Sequence, residues 1–120
     1  MAQPFRTWPA SAAGSQESDE AMIERIVLFK LKDEHCNDAA RAEFAARTRT
    51  DLSALERVRS VTVGVPADEA SEASWDISIV VRFDSMEDVQ QYIVDPAHRA
   101  YVDDYAMPRI EVRKAWNFRT

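Results

Sequence analysis

Cysteine is almost absent from this sequence: Cys36 stands alone among 120 residues. A lone cysteine closes no intrachain disulfide, so a disulfide-stapled scaffold is excluded and a reducing, cytoplasmic compartment is expected. Histidine is nearly as scarce. His35 and His98 are the only two, and they fall in different expected elements with no ligand spacing around them. No metal site and no cofactor are expected on that basis, and the adjacent His35-Cys36 pair reads as part of a loop. Positive charge is also short, with 15 Lys and Arg against 21 Asp and Glu and a net charge of -6. No basic stripe is available to displace counterions from a nucleic acid or to hold an anionic membrane surface. No apolar run approaches the roughly 20 residues of a spanning helix. Internal sequence repeats and low-complexity tracts are missing too.

What is present suffices for one small domain with a real core, since 46% of the residues are hydrophobic. Residues 1–21 stand apart as an extension rich in Ala, Ser, Pro and Gln. They read either as disordered or as an arm that docks through Phe5 and Trp8. The domain proper is expected over residues 22–120. Ile23 to Lys32 is a β-branched, aromatic strand with Arg25, Val27, Phe29 and Leu31 on one face and Ile26, Leu28, Lys30 and Lys32 on the other. After a turn capped by Asn37 or Asp38, Ala39 to Arg57 reads as a helix with Phe44, Thr48, Leu52 and Leu55 inward and Arg41 among its polar cover. Val58 to Val65 alternates as a second strand, and Pro66 to Ser74 reads as an acidic loop. Trp75 to Phe83 is a third strand, with its odd positions inward and Asp76, Ser78, Val80 and Arg82 opposite. Ile110 to Phe118 is the fourth, with Ile110, Val112, Trp116 and Phe118 sharing a face. Trp75 and Trp116 read most simply as core or pocket wall.

Between the last two strands, Ser85 is placed to cap a helix by accepting from the Asp88 amide. Met86, Val89, Gln90 and Ile93 follow at helical spacing. Pro96 cannot continue the helix, but Asp95 is a good cap and Pro suits the first helical position. A kink and restart are therefore expected. In the restarted segment His98, Tyr101, Val102 and Tyr105 fall at i, i+3, i+4 and i+7, which turns His98 inward among aromatic rings.

The order β-α-β-β-α-β is the split ferredoxin-like arrangement, an α+β fold with both helices on one face of a four-stranded antiparallel sheet. The other face has no cover of its own and carries Ile26, Leu28 and Val80. A second copy is its simplest partner, so a homodimer is expected.

The segments MIERIVLFKLKDE, LSALERV, VTVGV, SWDISIVVRFDSMEDVQQY, YIVDPAHRAYV and the closing NF together resemble the stress-responsive A/B barrel domain family, whose members are dimeric α+β barrels. The resemblance runs from Met22 to Phe118. It implies a compact dimer, and it offers two chemistries from similar architectures: cofactor-free aromatic ring closure by a plant polyketide cyclase, and cofactor-free monooxygenation. The family's Y-x-x-H-P-x-H stretch places its tyrosine at Tyr92 and its second histidine at His98. Asp95 stands where the first histidine would be, and Arg25 where the first strand often carries another. The resemblance thus implies His98 as the acid/base, with Tyr92 as hydroxyl donor. Arg25, which stays protonated, is suited to anchoring an enolate or carboxylate; the competing reading pairs it with Asp95 or Asp76. Phe29, Phe44, Trp75 and Tyr101 are the expected apolar wall. Three functions follow: a homodimer binding a small apolar or phenolic molecule, a cofactor-independent cyclase-like or monooxygenase-like enzyme, or a structural stress protein with a filled interior.

Overall fold

A computed structural model describes residues 22–120; the expectations for the extension and its two aromatics lie outside the described residues. The sheet is built around β1 (Ile23–Leu31), whose side chains alternate between buried and half-buried along its whole length. β-Branched and aromatic residues suit such a pleated central strand. It pairs antiparallel with β3 (Ile77–Phe83) on one side and with β4 (Ile110–Arg119) on the other, and β2 (Ser60–Gly64) pairs antiparallel with β3. The order is β2-β3-β1-β4, the ferredoxin-like topology expected from the element order.

One face of this sheet is roofed by helix. α1 (Asp38–Ser53) starts at Asn37, whose side chain accepts from the Ala40 amide at 2.8 Å, settling the choice between the two expected caps. Its buried residues Arg41, Phe44, Ala45, Thr48 and Leu52 form one helical stripe. It ends four residues earlier than expected, although Leu55 beyond it is still buried. α3 (Met86–Val94) is capped by the Ser85 hydroxyl, which accepts from the Asp88 amide at 3.1 Å. The restart is α4 (Pro96–Ala100), with Asp95 extended and its carboxylate accepting from the Ala97 amide at 2.8 Å. From Tyr101 to Ala106 the chain winds into a wider π-type turn, and Met107–Arg109 tighten again before β4.

Four expectations are corrected. Pro66 to Ser74 is not all loop: α2 (Glu69–Ser74) forms there, capped by Asp68 accepting from the Ser71 amide. β3 starts at Ile77, so Trp75 caps the end of α2 instead of opening a strand. Asp76, expected on the outward face, is 0% exposed. It accepts from Arg41 Nε at 2.9 Å and from the Leu31 amide at 2.8 Å, and Lys30 Nζ lies 3.2 Å away. The two-residue alternation did not apply because Asp76 precedes the strand, and its partner Arg41 is buried with it rather than serving as polar cover.

The fourth correction concerns β4. Leu31 faces Ile110 while Lys30 faces Val112, so Glu111 is an extra residue in a β-bulge. The bulge keeps Ile110 under the helices and sends Val112, Trp116 and Phe118 to the opposite face. Trp116 is therefore 45% exposed and Phe118 51% exposed, not core or pocket wall. The register sets Thr62, Val80, Ile26 and Trp116 side by side across that bare face.

Candidate functional site

The break at Asp95-Pro96 aims His98. The Ala97 amide turns to the Asp95 carboxylate instead of continuing the helix ladder. That leaves the Ile93 carbonyl within 3.4 Å of His98 Nδ1. A carbonyl only accepts, so Nδ1 carries the proton and Nε2 keeps its lone pair. The ring is buried, 4.0 Å from the Tyr92 ring at 38° between planes. Burial pushes the imidazole down to about 4; the Ile93 carbonyl opposes this, and the charges of Arg99 and Arg25 add to it. His98 is neutral near pH 7 and a weak base.

Tyr92 is buried, its ring edge-on to Phe83 at 4.8 Å. Burial pushes its phenol up to about 12, against the pull of Arg25 and Arg113. Its hydroxyl is therefore a donor at physiological pH. The Tyr101 hydroxyl is committed elsewhere: it shares a 2.6 Å hydrogen bond with Thr48 Oγ1 inside the core, and burial raises its pKa.

Arg25 rises from β1 on the roofed face and is only 8% exposed. Its Nη1 donates to Asn117 Oδ1 at 3.0 Å. Neither expected carboxylate partner is engaged: Asp76 is held by Arg41 and Lys30, and Asp95 caps α4. Among the described residues Arg25 takes part in no ion pair. Burial weakens its hold on the proton, yet a guanidinium stays charged at any physiological pH.

These groups meet at one cavity of about 340 Å³ between the sheet and the α3–α4 run. His98, Tyr92 and Arg25 all line it, as do Phe29 and Tyr101 from the expected wall. Phe44 does not: it is fully buried behind Phe29, with ring centroids 5.6 Å apart, and also touches Tyr105. Trp75 lines a different hollow of about 510 Å³ beside α2 and the β2–β3 edge, with Leu28, Val65 and Pro66. Residue reasoning does not reach Val27, Leu52, Ile79, Ile93 and Val102 in the wall, nor Arg99, Asp103, Met107 and Arg113. Arg113 carried no local signal: strict alternation sets it opposite Ile110, and the bulge at Glu111 brings both to the roofed face. Among the described residues no group of three or more His, Cys, Asp or Glu is gathered as a metal site. The Cys36 thiol sits against the Leu31 carbonyl and Asp76; burial and that carboxylate raise its pKa, which keeps it inert.

The profile of the family described as "Stress responsive A/B Barrel Domain" matches residues 23–118. No curated protein matches the sequence. Among solved structures, the chain is similar to a dabb family protein with a ferredoxin-like fold from Mesorhizobium loti, at 20% identity and a TM-score of 0.69, over 82% of this chain and 95% of that one. It is similar to a dimeric ferredoxin-like protein of unknown function from Thermobifida fusca, at 23% identity and a TM-score of 0.67, over 83% and 92%. It is also similar to the hydroxynitrile lyase from Passiflora edulis, at 13% identity and a TM-score of 0.68, over 84% and 94%. At such identities the likeness is one of fold.

Proposed function

Because the chain belongs to the stress-responsive A/B barrel domain family, we propose that it acts as a homodimer whose subunits each bind a small apolar or phenolic molecule between sheet and helices. The observation that carries this reading is the 340 Å³ cavity, walled by Val27, Phe29, Ile79 and Ile93 and furnished with three polar groups, Arg25, Tyr92 and His98. A mostly apolar hollow with a few convergent polar atoms is the usual form of a small-molecule site. A purely structural protein calls for a filled interior, so the cavity favours binding. The bare sheet face, with Trp116, Phe118 and Val112 exposed, supports the dimer, as does the dimeric relative from Thermobifida fusca.

Cofactor-independent catalysis is the second reading. It rests on the neutral His98 beside a protonated phenol and a fixed cation, and one neighbour of this fold is a lyase. His98 would take the proton, Tyr92 donate a hydrogen bond, and Arg25 hold the developing anion. A titration of the ¹⁵N-labelled chain with a panel of phenols separates the readings. Shifts at Val27, Ile93 and Tyr101 amides support binding; no shift with any phenol counts against a phenolic ligand. Turnover of a phenolic or polyketide substrate that vanishes in His98→Ala, with the fold intact, supports catalysis.

A further inference from the structure

The charge around the cavity is unusual for this chain. Arg25, Arg99 and Arg113 line it against a single carboxylate, Asp103, in a protein of net charge -6. Arg99 is spent on that carboxylate, with Nη2 to Oδ1 at 2.7 Å. Arg25 and Arg113 take part in no ion pair among the described residues. Arg25 is the more telling of the two, because it is buried. Of its five N–H donors, one meets the neutral Asn117 amide oxygen, its sole side-chain partner among the described residues. A buried cation without a counter-charge is costly to keep.

The sheet register explains why the two arginines reach one place. Arg25 lies opposite Asn117 and Phe29 opposite Arg113, so both arms rise on the roofed face of adjacent strands and border the same hollow. Burial weakens Arg25's grip on its proton; Tyr92 opposes this, and the charge of Arg113 adds to it. Two cationic side chains without counter-charge at one hollow attract an anion to it.

Resting on the small-molecule reading above, we propose that the pocket's ligand is a monocarboxylate with a small aromatic or branched apolar body. The carboxylate accepts from the free Arg25 donors, with Arg113 completing the charge at the mouth. The body lies against Val27, Phe29 and Ile93. Arginine's planar fork matches a carboxylate, and Val27, Phe29, Ile79 and Ile93 in the same wall suit an apolar body. Arg113 is thus a specificity residue, and Arg25 the primary anchor.

The test compares 2-naphthoate with its neutral isostere 2-naphthamide by calorimetry on the full chain. Naphthoate is expected to bind at least about tenfold tighter. Arg25→Met should weaken naphthoate at least about tenfold and naphthamide by clearly less, closing the gap between the two probes, and Arg113→Gln should weaken naphthoate about two- to fivefold and flatten its salt dependence. Should Arg25→Met fail to fold, the Arg25 Nε–H resonance of the native chain provides the second readout: it must move with naphthoate and stay put with naphthamide. Equal affinity of the two probes overturns the carboxylate assignment and leaves the small-molecule site standing. Failure of both to bind overturns both.

Discussion

At the residue scale, burial decides what each polar group can do. His98 has an ordinary value of 6.5 and is held at about 4 in the folded chain. Above pH 6.5 both the folded and unfolded states carry it neutral, so it costs nothing. As pH falls from 6.5 towards 4, the unfolded chain takes a proton that the folded chain refuses, and stability drops; below 4 this group adds no further loss. The groups facing it are Tyr92, Arg25, Arg99 and Asp95, of which Asp95 alone opposes the shift by charge. Urea melts at pH 7 and pH 4.5 should therefore differ by about 1–2 kcal/mol more in the native chain than in His98→Phe, after allowance for solvent at the pocket mouth. An anion seated on Arg25 should raise the His98 midpoint, which the imidazole proton shifts report directly. Arg25 makes the opposite trade. Arg25→Met removes an unneutralised buried charge and should leave stability unchanged or raise it by about 1 kcal/mol, measured by denaturation, while carboxylate binding is lost. Asp76 is the structural counterpart. Asp76→Ala strips Arg41 of its buried partner and should cost about 3–5 kcal/mol in a urea melt.

At the element scale, the site depends on one interruption. Asp95 and Pro96 end α3, start α4 and free the Ile93 carbonyl for His98. Asp95→Ala deletes a cap and should cost about 0.5–2 kcal/mol by denaturation, with the Ala97 amide losing its exchange protection. The interruption was legible because proline and an N-cap have fixed backbone consequences. The π-type turn after it was not, since Tyr101, Tyr105 and Ala106 are pulled inward by tertiary packing. α2 has no signature of its own in the sequence because its four polar residues and two alanines carry no apolar stripe, although Asp68 is a readable cap. The β4 bulge was missed because a single extra residue leaves the local alternation intact on either side of it.

At the scale of the whole molecule, the bulge shapes the sheet face opposite the helices. By turning Val112, Trp116 and Phe118 away from the helices, it adds three large apolar side chains to the face already holding Ile26, Leu28 and Val80. A patch of this kind is expected to be covered. Trp116→Asp should shift the sedimentation coefficient from dimer to monomer at micromolar concentration, while far-UV circular dichroism stays native. A native chain that sediments as a monomer would count against the dimer. The pocket lies on the opposite face of the sheet, so ligand binding should survive the change.

The residues by themselves determined the element order, the caps at Ser85 and Asp95, and the inward stripe of His98, Tyr101 and Tyr105. Those features follow from local backbone chemistry and from spacing along one helix or strand. Only the tertiary structure decided the register of β4 against β1, that Phe44 and Trp75 stand outside the cavity, that Asp76 belongs to Arg41, and that Arg113 joins Arg25. Each of those depends on register across the sheet, where a shift of one residue exchanges the two faces, and no run along a single strand records it.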